Sequence, residues 1–201
     1  MSVKGLHPAC YERDWTQASL TDLVDHVVSV HHTFVRREMA ILRHLLQEMI
    51  EQHGRHHPQL MDMQSVFDDL EGELMMHLLK EEQTLFPAIV LHESARAAEP
   101  VENADWRPLV ESLENEHTHG DQTLAKLRAL AQRTGLDTEC SAIWRSFCQG
   151  LDRMEADLQQ HVHEENDILF PSMTLQVIFG ETRAEPCGAG VWRGFHGVEK
   201  V

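Results

Sequence analysis

Apolar residues in this chain recur every three to four positions through four long segments and almost nowhere alternate. That period marks the buried face of an α-helix and leaves little room for strands. The first helix is expected from near Ser19 to Thr21 to about His53, on the stripe Val28, Val35, Met39, Leu42, Leu46 and Met49. The stretch GRHHP, Gly54 to Pro58, then breaks it. A second helix runs from about Met61 to Phe86 on Phe67, Leu70, Leu74 and Leu85. Pro87 is read as its stop, because the residue before a proline is pushed out of the helical region.

The polar run around Pro100 connects to a third helix, which opens at Asp105 to Pro108 with a cap and an early-turn proline. It carries Leu109, Leu113, Leu124, Leu127 and Ala131 to Gly135. A fourth starts near Asp137 or Thr138 and carries Ile143, Phe147, Leu151, Met154, Leu158 and Ile168 to Pro171. Four amphipathic helices with short connections bury their stripes against one another. The expected class is all-α, an antiparallel up-down-up-down four-helix bundle. It would occupy residues 19–173, after an N-terminal extension (1–18) and before a loosely ordered C-terminal tail (174–201).

Two stretches, HLLKEEQTLFP (His77 to Pro87) and HVHEENDILFP (His161 to Pro171), repeat one pattern: His, Glu four residues later, then Leu-Phe-Pro. Residues four apart share a helix face. His77 and Glu81 therefore interrupt the apolar stripe of the second helix together, and His161 with Glu165 that of the fourth. His32 lies between Val28 and Val35 on the first stripe, and His117 between Leu113 and Leu124 on the third. Measured from the inter-helix turns, the antiparallel partners come within about one or two helical turns of the same depth. Four imidazoles and two carboxylates thus converge on one layer.

An ionised carboxylate in an apolar core is costly unless it is paired or holds a cation. Two bridging glutamates with two histidines per metal describe a dinuclear site with open positions. Mixed imidazole and carboxylate donors suit iron or manganese, whereas structural zinc favours a closed tetrahedral set. Ferritin-like bundles use Glu-x-x-His; the order here is His-x-x-x-Glu, which points to a hemerythrin-like site.

GELMMHLLKEEQTLFP, LENEHTHGD and LQQHVHEENDILFP resemble the hemerythrin-like domain of the iron-sulfur cluster repair di-iron proteins, over roughly residues 22 to 173. The resemblance implies the same six ligands, His32, His77, Glu81, His117, His161 and Glu165, around a carboxylate-bridged non-haem centre of two iron ions, ahead of manganese or zinc. It also implies repair of clusters damaged by nitric oxide or peroxide, by supplying iron. Iron-sulfur proteins or an electron donor would be partners, and oxygen or nitric oxide a diatomic ligand. An oxygen or nitric oxide carrier or sensor, and a di-iron nitric oxide reductase, are the competing functions.

His53 matches a further histidine of the family pattern, but a continuous first helix puts it about 31 Å from His32, so it is left out of the ligand set. Longer family members carry a small cysteine-pair domain ahead of the bundle. Here Cys10 stands alone before Ser19, so the chain is expected either to borrow a partner for what that domain does or to do only part of the task.

Glu73, one turn before His77, and Glu116, beside His117, are candidates for a polar route for protons or iron, with salt-bridged or solvated roles as the alternative. Gly120 either leaves room for a diatomic ligand or lets two helices pack closely. His26, His31, His44, His119 and His163 are expected on solvated faces. Cys140 and Cys148 read as structural thiols within a helical pattern, while Cys187 has no assigned role. A formal net charge of −16 argues against nucleic acid or an anionic membrane as partner. No apolar run reaches membrane-spanning length, and the first residues lack the apolar core of a secretory signal, so a cytoplasmic location is expected.

Overall fold

A computed structural model of the protein describes residues 14–96, 105–134 and 142–173. Every described rod is helical. The first contains α1 (Leu20–His26), a π-helical turn (Val27–His32) and α2 (Thr33–His53). The second contains α3 (Gln59–Lys80), a π turn (Glu81–Leu85) and α4 (Phe86–Arg96). The third is α5 (Arg107–Arg133). The fourth is α6 (Ile143–His163), followed by a π turn (Glu164–Leu169) and helix through residue 173.

These four rods form the expected bundle. α2 lies against α6 and α3 against α5, while α1, at the start of the first rod, meets α4 at the end of the second. Neighbouring rods therefore run in opposite directions. The start of α1 is capped twice: the Ser19 hydroxyl accepts from Asp22 N–H at 3.0 Å, and the Glu93 carboxylate accepts from Leu20 and Thr21 N–H at 2.9 Å each. A carboxylate at a helix N-terminus meets both the unpaired N–H groups and the positive end of the dipole.

Pro87 does not stop the second rod, contrary to its reading from sequence. The Phe86 N–H donates five residues back to the Glu81 carbonyl, and the Phe170 N–H likewise to Glu165. Each proline follows a widened π turn, where the ladder changes register and the clash of its ring with the carbonyl a turn earlier is relieved. The helix continues to Arg96, and its extra length brings Glu93 to α1. The expected stop at Gly135, the start near Asp137, Cys10, Cys140, Cys187 and the tail lie outside the described residues.

The apolar interior is divided. One cluster, with Val35, Met39, Leu42, Phe67, Leu70, Phe147 and Met154, fills the end near the α2–α3 turn. The other, with Trp15, Leu23, Val27, Leu85, Phe86, Leu113, Leu169 and Phe170, fills the opposite end. Between them lies a polar layer in which His31, His32, His77, Glu81, His117, His161, Glu164 and Glu165 are all buried. None of the described helices is long and apolar enough to cross a membrane.

Candidate metal centre

The π turns set where the polar side chains stand. Each adds a residue to a turn, so side chains beyond it are rotated relative to an unbroken α-helix. His32 ends the first such turn, while Glu81 and Glu165 fall within the second and third. His117 comes from the uninterrupted α5. All six residues singled out from the sequence meet in one layer.

They meet as two interlocking sets. Donor atoms of His32, Glu81, His161 and Glu165 lie within 4.8 Å of one another, as do those of His77, Glu81, His117 and Glu165. Each carboxylate faces both sets. Glu81 Oε2 is 3.3 Å from His32 Nε2, and its Oε1 is 3.2 Å from His77 Nε2. Glu165 Oε1 is 3.0 Å from His161 Nε2, and its Oε2 is 3.1 Å from His117 Nε2. Nε2 of His77 and Nε2 of His117 stand 3.0 Å apart.

The same atoms are poorly served by hydrogen bonds. Both oxygens of Glu81 and of Glu165, both ring nitrogens of His161 and Nε2 of His32 are buried with no hydrogen-bond partner among the described residues. Leaving a buried polar atom unpaired costs about 1–3 kcal/mol, more if it is charged. A cation would satisfy several such atoms at once, so the donor set fits metal ions.

Three of the four outward nitrogens are anchored instead. His32 Nδ1 is 2.7 Å from Glu82, His77 Nδ1 is 3.2 Å from Glu116, and His117 Nδ1 is 3.1 Å from Asn166. Such partners fix the orientation of a ligating imidazole and raise its basicity. Glu82 and Asn166 had gone unnoticed in the sequence, yet each directly follows one of the inward glutamates. Glu116 is salt-bridged: it links His77 to Lys80 and accepts from Ser112.

Charge is balanced within the layer. Burial pushes the His77 imidazole down, but Glu81 and its acidic neighbours outweigh this and hold it at about 9. His161 is likewise raised, since Glu165 and Glu81 oppose the effect of burial. Burial would raise the Glu165 carboxyl, yet His161 and His117 hold it well below the ordinary value. Protons on these imidazoles must leave for a cation to enter, so loading is coupled to proton release.

A cavity of about 470 Å³ reaches His77, His117 and His161 from the side where α3 meets α5, and Gly72, Glu73, Lys80, Glu116 and Gly120 also line it. A Cβ added at Gly120 would meet only Leu74 Cδ2, at 3.9 Å. Close helix packing therefore does not require this glycine; its effect is room beside the histidines. The close approach occurs at Gly150, where a Cβ would come within 2.6 Å of Leu42 Cδ2. Glu73 sits at the exposed rim and bonds His119.

Two expectations need correction. His31 is fully buried and His26 nearly so, rather than solvated: His26 lies three residues after Leu23 beside the buried stripe of α1, and the π turn at Val27–His32 brings His31 onto the same face. His31 Nδ1 is 3.0 Å from Asp157, and Glu164 faces both rings. His44, His119 and His163 are exposed as expected, and His53 stands at the far end of α2 beside His57. Cys148 is a half-buried free thiol packed on the apolar core.

The family model described as the hemerythrin HHE cation binding domain matches residues 23–173. A protein of Haemophilus influenzae named "Probable iron-sulfur cluster repair protein" is 28% identical over 160 residues, which are 80% of this chain and 68% of that relative. The iron-sulfur cluster repair protein YtfE of Edwardsiella ictaluri is 30% identical over 159 residues, 79% of this chain and 68% of its own. Its namesake in Salmonella paratyphi B is 27% identical over 162 residues, 80% and 69%.

Proposed function

The chain belongs to the family of the hemerythrin HHE cation binding domain, and from that premise we propose that it is a di-iron protein acting in the repair of iron-sulfur clusters damaged by nitrosative or oxidative stress. One ion would be held by His32 and His161, the other by His77 and His117, with Glu81 and Glu165 offering one oxygen to each. The observation that carries this reading is the double-facing carboxylates, each set 3.0–3.3 Å from an imidazole of either group. Cis ligands on an ion with bonds of about 2.1 Å stand roughly 3.0–3.4 Å apart. The repair named in the relatives supports the same role for this chain.

Bound there, two irons would supply a reversible change of oxidation state and open positions for a diatomic ligand. The chain's own residues do the rest. Glu82, Glu116 and Asn166 hold three imidazoles with Nε2 inward, and the two apolar clusters keep bulk water from both ends of the layer. The cavity beside His77 and His117 leaves a way out towards Glu116, Glu73 and solvent. The ion on that side would be the one donated to a damaged cluster, and an iron-sulfur protein would be the partner that receives it.

The same cavity favours a second reading, in which the centre binds or reduces a diatomic gas. The test is to load the protein without oxygen, count its iron, and mix it with an iron-sulfur enzyme inactivated by nitric oxide. Recovery of that enzyme with loss of iron from the protein supports donation. Gas consumption in the presence of an electron donor, with no recovery, supports the second reading. Fewer than two irons per chain would overturn the di-iron assignment.

A further inference from the structure

We propose that His26, His31 and Glu164 form a separate, mononuclear site for a divalent transition-metal ion of the zinc(II) or iron(II) class. The donors differ from all six of the dinuclear layer, and the site does not depend on that layer's assignment. His26 Nε2 is 3.4 Å and His31 Nε2 3.5 Å from the same oxygen, Glu164 Oε2, and the three donors lie within 4.8 Å of one another. Those separations exceed an ordinary N–H···O bond of about 2.7–3.2 Å. They match the roughly 3.4 Å between two ligands on one tetrahedral ion with bonds of about 2.1 Å.

The local backbone explains the pairing. In an α-helix residues five apart point well away from each other, but His26 and His31 flank and occupy the π turn Val27–His32, whose five-residue hydrogen bonds bring such positions onto one face. Two of the three ligands are anchored through the atom that would not bind metal: His31 Nδ1 by Asp157 at 3.0 Å, and Glu164 Oε1 by the Gln160 side-chain N–H at 2.8 Å. Such anchoring of a ligand's far side is characteristic of metal sites. Trp15 lies tilted over His26 with ring centroids 4.3 Å apart, and the His31 ring stacks on His161 at 5.4 Å.

Charge and donor count agree. Two neutral imidazoles and one carboxylate leave a divalent ion with a single net charge, and the buried Asp157 carboxylate lies one residue's width away behind His31. Two histidines and a carboxylate with an open position suit zinc or ferrous iron.

The test is titration of the metal-stripped full chain with zinc(II), together with anomalous scattering from zinc-loaded crystals. Wild type is expected to take three ions, with one anomalous peak among His26, His31 and Glu164. His26→Ala should take two and retain the dinuclear pair; Glu164→Gln, nearly the same shape, should do the same and guards against misfolding of the first variant. Glu81→Ala should keep the ion at His26 and His31; if it keeps all three, the dinuclear reading fails while this site stands. A wild-type count of two without that peak, a count unchanged by either substitution, or loss of all ions in His26→Ala overturns the proposal.

Discussion

The face where α3 meets α5 and the face where α2 meets α6 are built on the same offsets but differ in outcome. On the first, Glu73 stands four residues before His77, Lys80 three after it, Glu116 one before His117 and Gly120 three after. On the second, those offsets hold Asp157, Glu164, His31 and Val35. The Lys80–Glu116 ion pair thus has its counterpart in Glu164–His31 with the charges exchanged. Gly120 borders an open cavity, whereas Val35 is fully buried. What both faces share is His with Glu four later, and an acceptor just after that Glu (Glu82 or Asn166) reaching a histidine on a neighbouring rod. The shared positions build the centre; the flanking ones leave a cavity on one side and bury a second histidine cluster on the other.

The largest loss is expected at a shared position. Glu81→Ala or Glu165→Ala should lose most metal from the dinuclear layer, read by metal analysis in a His26→Ala background; two irons per chain retained there would refute the bridging role. Substituting the anchors should be milder and similar on both faces: Glu82→Gln, Glu116→Gln and Asn166→Ala are each expected to weaken metal binding about 10–100-fold, measured by chelator competition.

The flanking positions should separate the faces. Gly150→Ala, on the sealed face, drives a Cβ against Leu42 and Glu38 and should cost about 1–3 kcal/mol in urea unfolding. Gly120→Ala, on the open face, meets nothing closer than 3.9 Å and should instead stabilise by up to about 1 kcal/mol.

Removal of metal offers a pH-dependent version of the contrast. His77 and His31 are each held at about 9, against an ordinary 6.5, by carboxylates that outweigh burial. A raised folded value means stability that is complete below 6.5 and lost as pH climbs through 9. The metal-stripped protein's unfolding midpoint should fall over that window, and His31→Gln should flatten the fall by about as much as His77→Gln. Unequal flattening would show that the two faces do not mirror each other electrostatically.

The sequence made the rods and the six inward donors legible because both follow the 3.6-residue stripe. It hid whatever depends on the π turns. A ladder that shifts by one residue leaves no compositional mark, so Pro87 read as an end when the helix runs to Arg96. For the same reason Val28 was placed on the buried stripe, where Val27 is the one fully enclosed. His31 lies off an unbroken stripe, and only the altered phase turns it inward, onto the face of His26. Glu82 and Asn166 were missed because an acceptor that reaches across to another rod cannot be seen from its own helix.

The divided interior has a final consequence. Because apolar packing closes each end of the bundle independently of the middle, the polar floor between them can be vacated and refilled while the walls stay upright. Such a vessel would keep its outline whether full or drained, as the proposed release of iron requires.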